Sequence, residues 1–198
     1  MDKIYECANN YNKLQDVKYV FTIVENRKEK VIMLDFKRED FRHAAGLHHI
    51  DDISIENNPS RLIDSILNKS LTDAMLEKST KYITPRTDGG IIKERVEELA
   101  CLEEYLDKSD ILRIFTVQNF KCDIEADYFI EASNLKRYTT VYIFIRKRRE
   151  NDNYVVVSFF KKSTVTYLGG KAYWMLKEKI TGDECITLYR NPNYKSKS

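Results

Sequence analysis

The sequence predicts an α+β protein, with helices and one hairpin in its first part and a twisted antiparallel sheet of about four strands in its last third. Three observations predict it. As far as Leu106 most apolar residues recur at helical spacing. After Ile111 they fall into short runs of β-branched and aromatic residues. Turn residues such as Gly169-Gly170 separate those runs.

In chain order, Lys3 to Leu14 reads as a helix with Ile4, Cys7, Ala8 and Tyr11 on one face. Val17 to Val24 and Lys30 to Phe36 read as strands joined at Glu25–Glu29, hence a hairpin. Asn58-Pro59-Ser60 starts a helix carrying Leu62, Ile63, Ile66 and Leu67, and Thr72 to Lys78 is a second, shorter one. Thr80 to Gly90 reads as a loop with a hinge at Asp88-Gly89-Gly90. Ile91 to Leu106 reads as one amphipathic helix, with Arg95 beside its apolar stripe.

Ile111 to Val117, Tyr128 to Ala132, Thr139 to Arg146 and Tyr154 to Phe160 read as strands, the last two joined by the turn Arg148–Asn153. Ala172 to Glu178 fits a short helix or a strand, and Cys185 to Tyr189 a closing strand. No linker or repeat divides the 198 residues. They read as one domain, mostly helical over 1–108, a basic sheet over 109–190 and a frayed tail over 191–198.

Composition narrows the function classes. No apolar run approaches the roughly 20 residues that span a bilayer. Met1-Asp2-Lys3 leads into a polar helix rather than a signal peptide. The four dispersed cysteines read as free thiols in a reducing cytoplasm. The sequence has no P-loop, no Rossmann glycines and no Ser-His-Asp order, and nothing in it implies a cofactor. The net charge of +2 hides an asymmetry: residues 134–198 carry 14 Lys+Arg and 5 Asp+Glu, a net of +9, against −7 before them. A basic region rich in Tyr and Phe suits a nucleic-acid partner.

The least generic stretch is Asp40–Asp52, which holds all three histidines of the chain within seven positions. Histidine alone has an unperturbed pKa, roughly 6.5, that lets it give and take protons near neutrality. Asp40 is a candidate N-cap and Gly46 a candidate stop for a short helix. Phe41, Ala44 and Ala45 then share an apolar face, His43 lies beside it, and the glycine lets the chain turn His48 back towards His43. His49 reads as exposed. A metal site from His43, His48, His49, Asp51 and Asp52 is the alternative, but the spacing matches no zinc signature.

Phe41-Arg42-His43-Ala44-Ala45-Gly46-Leu47-His48, followed by Ile50-Asp51-Asp52-Ile53, resembles the signature Phe-x-His-Leu-x-Gly-Leu-His with a following Asp-Ile. Val157-Ser158-Phe159-Phe160 resembles a core strand of the same family, and Gly169-Gly170-Lys171-Ala172-Tyr173 through Leu176-Lys177-Glu178-Lys179-Ile180 its closing Gly-Gln…Lys-Glu-Lys-Ile. The chain thus resembles the fourth family of phage-borne barnase-EndoU-colicin-RelE-like nucleases. Ala44 replaces the family leucine and Gly170 the family glutamine. The resemblance implies a four-stranded antiparallel barnase/RelE-like sheet, metal-independent RNA cleavage, a phage or toxin setting, and with it an antidote or immunity protein.

Cutting RNA without a metal requires a base for the 2′-hydroxyl, an acid for the leaving oxygen and a cation or donor for the phosphate. On this reading His43 is the base or acid and His48 its complement. Arg95, Lys161 and Lys162 contact phosphate, with Arg137, Arg146 and Lys177 next. Ser158 offers a hydroxyl, and Tyr167 and Tyr173 offer rings for stacking. The structural alternatives are a packing role for His43, Ser158 and the tyrosines and solvated strand ends for the lysines. A binding module without catalysis is the rival function.

Overall fold

The computed structural model describes residues 2–86, 90–109, 111–116, 124–134, 138–162 and 167–195. Its helices are α1 Lys3–Lys13, α2 Phe41–Ala44, α3 Pro59–Leu67, α4 Asp73–Leu76, α5 Thr80–Ile83, α6 Ile92–Leu99 and α7 Leu102–Lys108. Its strands are β1 Val17–Glu25, β2 Lys28–Leu34, β3 Ile111–Ile114, β4 Tyr128–Asn134, β5 Thr139–Lys147, β6 Tyr154–Lys161, β7 Lys171–Thr181 and β8 Glu184–Arg190.

Local chemistry explains most of these elements. Asp2 caps α1 by accepting the Tyr5 N–H at 3.1 Å, and Asn58 caps α3 by accepting the Ser60 N–H at 3.0 Å. The β1–β2 hairpin turns on Asn26-Arg27, both left-handed at φ 49° and 64°, as a two-residue turn requires if its twist is to match the strands.

The four-stranded antiparallel sheet is overturned. The strands run β1-β2-β6-β5-β4-β3-β7, and β7 closes back on β1, giving a seven-stranded barrel with β8 added outside β7. The barrel is mixed, because β2 meets β6 in parallel at Leu34 and Tyr154. Among the described residues strand accounts for 36% and helix for 32%, so the barrel rather than the helices organises the fold. Local periodicity could not show this. Closure depends on β1 pairing with β7 from Val17–Thr181 to Val24–Tyr173, across some 150 residues of sequence.

All seven barrel strands contribute to one apolar core, which continues onto the inward faces of α1, α3, α6 and α7. On β4, β5 and β6 the opposite alternation buries a second cluster: Phe129, Tyr142, Phe144 and Phe160, with Phe115 and Tyr167.

Two further readings change. Ile91 to Leu106 is two helices, because the chain breaks at Ala100-Cys101, where Asn10 Nδ2 donates to the Ala100 carbonyl at 3.0 Å. The Thr80 to Gly90 loop opens with α5, which buries Tyr82, and Arg86 N–H donates to the Gly90 carbonyl at 3.2 Å. Its Asp88-Gly89 hinge lies outside the described residues. Among the described residues no helix is long and apolar enough to cross a membrane.

Arg148, in the β5–β6 turn, ties three elements together. Its Nε donates to Asp35 at 2.7 Å and its Nη1 to Asp40 at 3.1 Å, with the arginine side chain 5% exposed and the carboxylates 14% and 12%. Asp40 also accepts the Lys37 N–H at 3.0 Å, and Asn153 Nδ2 donates to Asp35. Replacing Arg148 with Met leaves two nearly buried carboxylates without their cation. The expected cost is about 3 kcal/mol or more, or roughly 6–12 °C in melting temperature. Thermal and urea melts of R148M check this, and a loss under about 1 kcal/mol contradicts it.

Candidate active site

The histidine segment folds as its residue types direct. Phe41, Ala44 and Ala45 are fully buried, and His43 projects towards solvent. Asp40 stands at the N-cap, but its carboxylate serves Lys37 and Arg148 instead of the helix. Gly46 ends the turn at φ 76°, where a left-handed residue is needed, and its N–H donates to the His43 carbonyl at 3.0 Å. The chain then reverses, bringing the His48 ring to 4.3 Å from His43 and the His49 ring to 3.7 Å from His48, centroid to centroid.

The three rings line a cavity of about 370 Å³. Asp40, Arg86, Arg95, Ile124, Glu125, Arg146, Phe160 and the strand Val155–Ser158 complete its wall. A β-bulge helps shape it: Phe144 pairs with Ser158 but Ile145 with Val156, so Val157 has no opposite residue on β5. Arg95 is 3% exposed, with its guanidinium carbon 5.5 Å above the Phe160 ring. A Cβ on Gly46 would stand 2.9 Å from Arg95 Nη1 and 3.1 Å from its Cδ. The glycine is therefore required twice, for its backbone angle and for the room it leaves the arginine.

Burial and positive neighbours keep the imidazoles neutral. The His48 pKa is lowered to about 3, first by burial and then by His49 and His43, with Arg95 adding to them and the Arg42 carbonyl opposing. That of His49 is lowered to about 4, by burial and then by Arg86 and Arg95. Burial also lowers His43, helped by Arg42 and Arg146 and opposed by Asp40. Burial and Arg86 bring Arg95 down to about 10, which leaves it charged at neutral pH. The cavity thus sets neutral proton acceptors among fixed cations, an arrangement that favours an anion and strengthens its pull inside a low-dielectric wall.

Of the residues singled out in the sequence, His43, His48, Arg95, Arg146 and Ser158 come together in this cavity. Arg146 donates to Glu125 at 2.8 Å. The others lie elsewhere. Lys161 faces Glu94 at 3.7 Å, and Lys162 donates to Glu131 at 2.7 Å. Tyr167 is buried in the second aromatic cluster, and Tyr173 is 61% exposed on β7. Lys177 is 2% exposed and donates to the Asp107 and Ser109 carbonyls at 3.0 and 2.9 Å, closing the end of α7. Arg137 lies outside the described residues.

Asp51 and Asp52 do not join the histidines. Asp51 pairs with Lys81, while Asp52 accepts from the Ser79 hydroxyl and from the Thr80 N–H at 2.8 Å, capping α5. Among the described residues no three His, Cys, Asp or Glu side chains are grouped to hold a metal ion. Sequence reading missed His49, Arg86, Glu125 and Asp40 as cavity residues. Only His49, adjacent to His48, and Asp40, three residues before His43, gave any signal, since Arg86 and Glu125 arrive on segments remote in sequence.

Imidazoles beside arginines in a cleft are equipment suited to acting on phosphate esters. Residues 3–192 match the family described as phage-Barnase-EndoU-ColicinE5/D-RelE like nuclease4, and the chain belongs to that family. It is therefore a nuclease of the barnase-EndoU-colicin-RelE type, from a family whose description places it with phages. No curated protein and no solved structure matches it.

Two outcomes follow from the geometry. Gly46→Ala strains a left-handed position and pushes on Arg95, at a cost of about 1–2 kcal/mol from the backbone alone. A urea midpoint equal to wild type contradicts this. For pH, the three imidazoles bind protons more weakly folded than unfolded, where the pKa is roughly 6.5. Their contribution is complete above that value and is lost as pH falls towards about 3, through the His49 and His48 values. Stability should decline over this window, and H48Q should decline less steeply. Equal slopes for the two proteins contradict the reading.

Proposed function

We propose that this nuclease cleaves RNA in the histidine cavity by general acid–base chemistry, without a metal. The observation that carries the reading is the convergence of three imidazoles with Arg95 and Arg146 in one cavity. His43, the most exposed of the three, takes the proton of the ribose 2′-hydroxyl. The 2′-oxygen attacks phosphorus, the bond to the 5′-oxygen breaks, and a 2′,3′-cyclic phosphate remains. His48 or His49 donates the proton to the departing 5′-oxygen. Arg95 and Arg146 hold the phosphate oxygens as negative charge gathers on them.

The acid has to be charged before it can act. A phosphate placed among the rings offsets the burial and cationic effects that hold their pKa values down, so substrate binding itself favours the imidazolium. Asp40, Asp51 and Asp52, the aspartates that flank the histidines in sequence, are spent on Arg148, Lys81 and α5, which supports a reading without a metal. In a toxin setting, an antidote or immunity protein would have to cover this cavity.

The test is cleavage of mixed RNAs by wild type and H43Q, with chelator present. Wild type should cut. H43Q, which cannot shuttle protons at neutral pH, should fall by about two orders of magnitude or more while melting and RNA binding stay near wild type. RNA binding with no cleavage by wild type would establish the binding module instead, and undiminished cleavage by H43Q would remove His43 from the mechanism.

A further inference from the structure

Arg86 lines the cavity, yet the acid–base chemistry leaves it without a part. Among the described residues its buried Nε has no hydrogen-bond partner, and no carboxylate pairs with its guanidinium. The charges around it are engaged elsewhere. Asp40 accepts from Arg148, and Glu125 accepts from Arg146. Lys81, a further cation near His49, is paired with Asp51. Arg86 also stands close enough to Arg95 to depress its pKa. A guanidinium set beside a second one, without a carboxylate of its own, is costly to hold there unless an anion joins it.

A short hydrogen-bonded span places it. Asp52, three residues after His49, accepts the Thr80 N–H at 2.8 Å and so holds the start of α5. Arg86 follows α5, and its N–H donates to the Gly90 carbonyl at 3.2 Å. α6 begins two residues after that glycine and carries Arg95. The same span thus delivers both arginines to the histidine segment.

The rings give the cavity a direction. His48 touches both of the others, His43 at 4.3 Å and His49 at 3.7 Å between centroids, so the three form a row. Arg146 acts on His43 at one end, and Arg86 and Arg95 act on His49 at the other. His43 serves the 2′-hydroxyl, and His48 or His49 serves the departing 5′-oxygen. Arg86 therefore stands beyond the leaving group, where the strand runs on to its next phosphate.

We propose that Arg86 holds the phosphate on the 3′ side of the departing nucleoside, one position downstream of the phosphate that is cut. The contact follows from the cavity, while its direction rests on the acid–base reading. The preferred substrate is then a strand with two consecutive phosphates rather than an isolated diester.

Mixed-base trinucleotides with one ribose, at the middle position, test this, because only the bond after that ribose can be cut. One set ends in a 3′-hydroxyl and the other in a 3′-phosphate. Wild type should cut the phosphate-ended set with a kcat/KM about tenfold higher or more, as a charge-assisted contact requires. R86Q should bring that ratio close to one, and R86K, which keeps the charge, should retain part of it. Thermal melts check that both variants are folded. A wild type that cuts both sets equally overturns the proposal and leaves the acid–base reading intact. A ratio that survives in R86Q, or that R146Q abolishes instead, overturns it as well. All-deoxy trinucleotides, which cannot be cut, separate the two readings by calorimetric binding. If they show the 3′-phosphate preference and its loss in R86Q while no ribose-containing set is cut, the Arg86 contact stands and the acid–base reading falls. A wild type that neither binds nor cuts any of them removes both.

Discussion

The site depends on one interaction, the grip of Arg148 on Asp35 and Asp40. Asp35 follows β2, where the hairpin strand meets β6 in the barrel's only parallel contact among the described residues. Asp40 begins the histidine helix. Arg148 arrives from the opposite side, on the turn between β5 and β6. One guanidinium thus fixes the β2–β6 seam of the barrel and the histidine position together. Two nearly buried carboxylates carry a large desolvation penalty that only a paired cation offsets, so the three groups are stable together and costly apart.

A second consequence concerns charge. Cations from the basic C-terminal third meet acids from the first two thirds: Lys179 with Glu103 and Asp107, Lys161 with Glu94, Arg148 with Asp35 and Asp40. The segregation seen along the sequence is in good part an internal pairing scheme that folding brings together. The cations that line the cavity beside Arg146 come instead from the other part, as Arg95 and Arg86. The electrostatic character of the site is therefore a property of the fold and not of the basic third. It is set by a few charges close to the rings, Arg95 buried and Arg86 and Arg146 partly so, rather than by many fully exposed ones, which solvent screens.

The same burial gives the site its chemistry. Packing the segment under Arg95 desolvates His48 and His49 and pushes both well below the usual imidazole range. Gly46 permits this packing, because any side chain there would displace the arginine. Nothing in the spacing of the histidines reveals such depressed values. They arise first from burial and then from the neighbouring rings and from Arg95 and Arg86, which enter from α6 and from the segment after α5.

The sequence by itself determined what adjacent residues decide. The apolar face of α1, the Asn26-Arg27 turn, the Asn58-Pro59 helix start and the reversal at Gly46 are all fixed within a few residues, and the resemblance that names the family rests on such short stretches. His43, His48, Arg95, Arg146 and Ser158 were legible as candidates because their types and local settings are unusual. Only the tertiary structure decided that β7 is a strand reaching back to β1, that Ile91 to Leu106 breaks in two, and that Arg148 is a buried tie rather than a turn residue. It alone turned Lys177 to the end of α7 and His49 into the cavity. In each case the partner lies tens to some 150 residues away, and a pairing over that distance leaves no period in the chain for a sequence reading to detect.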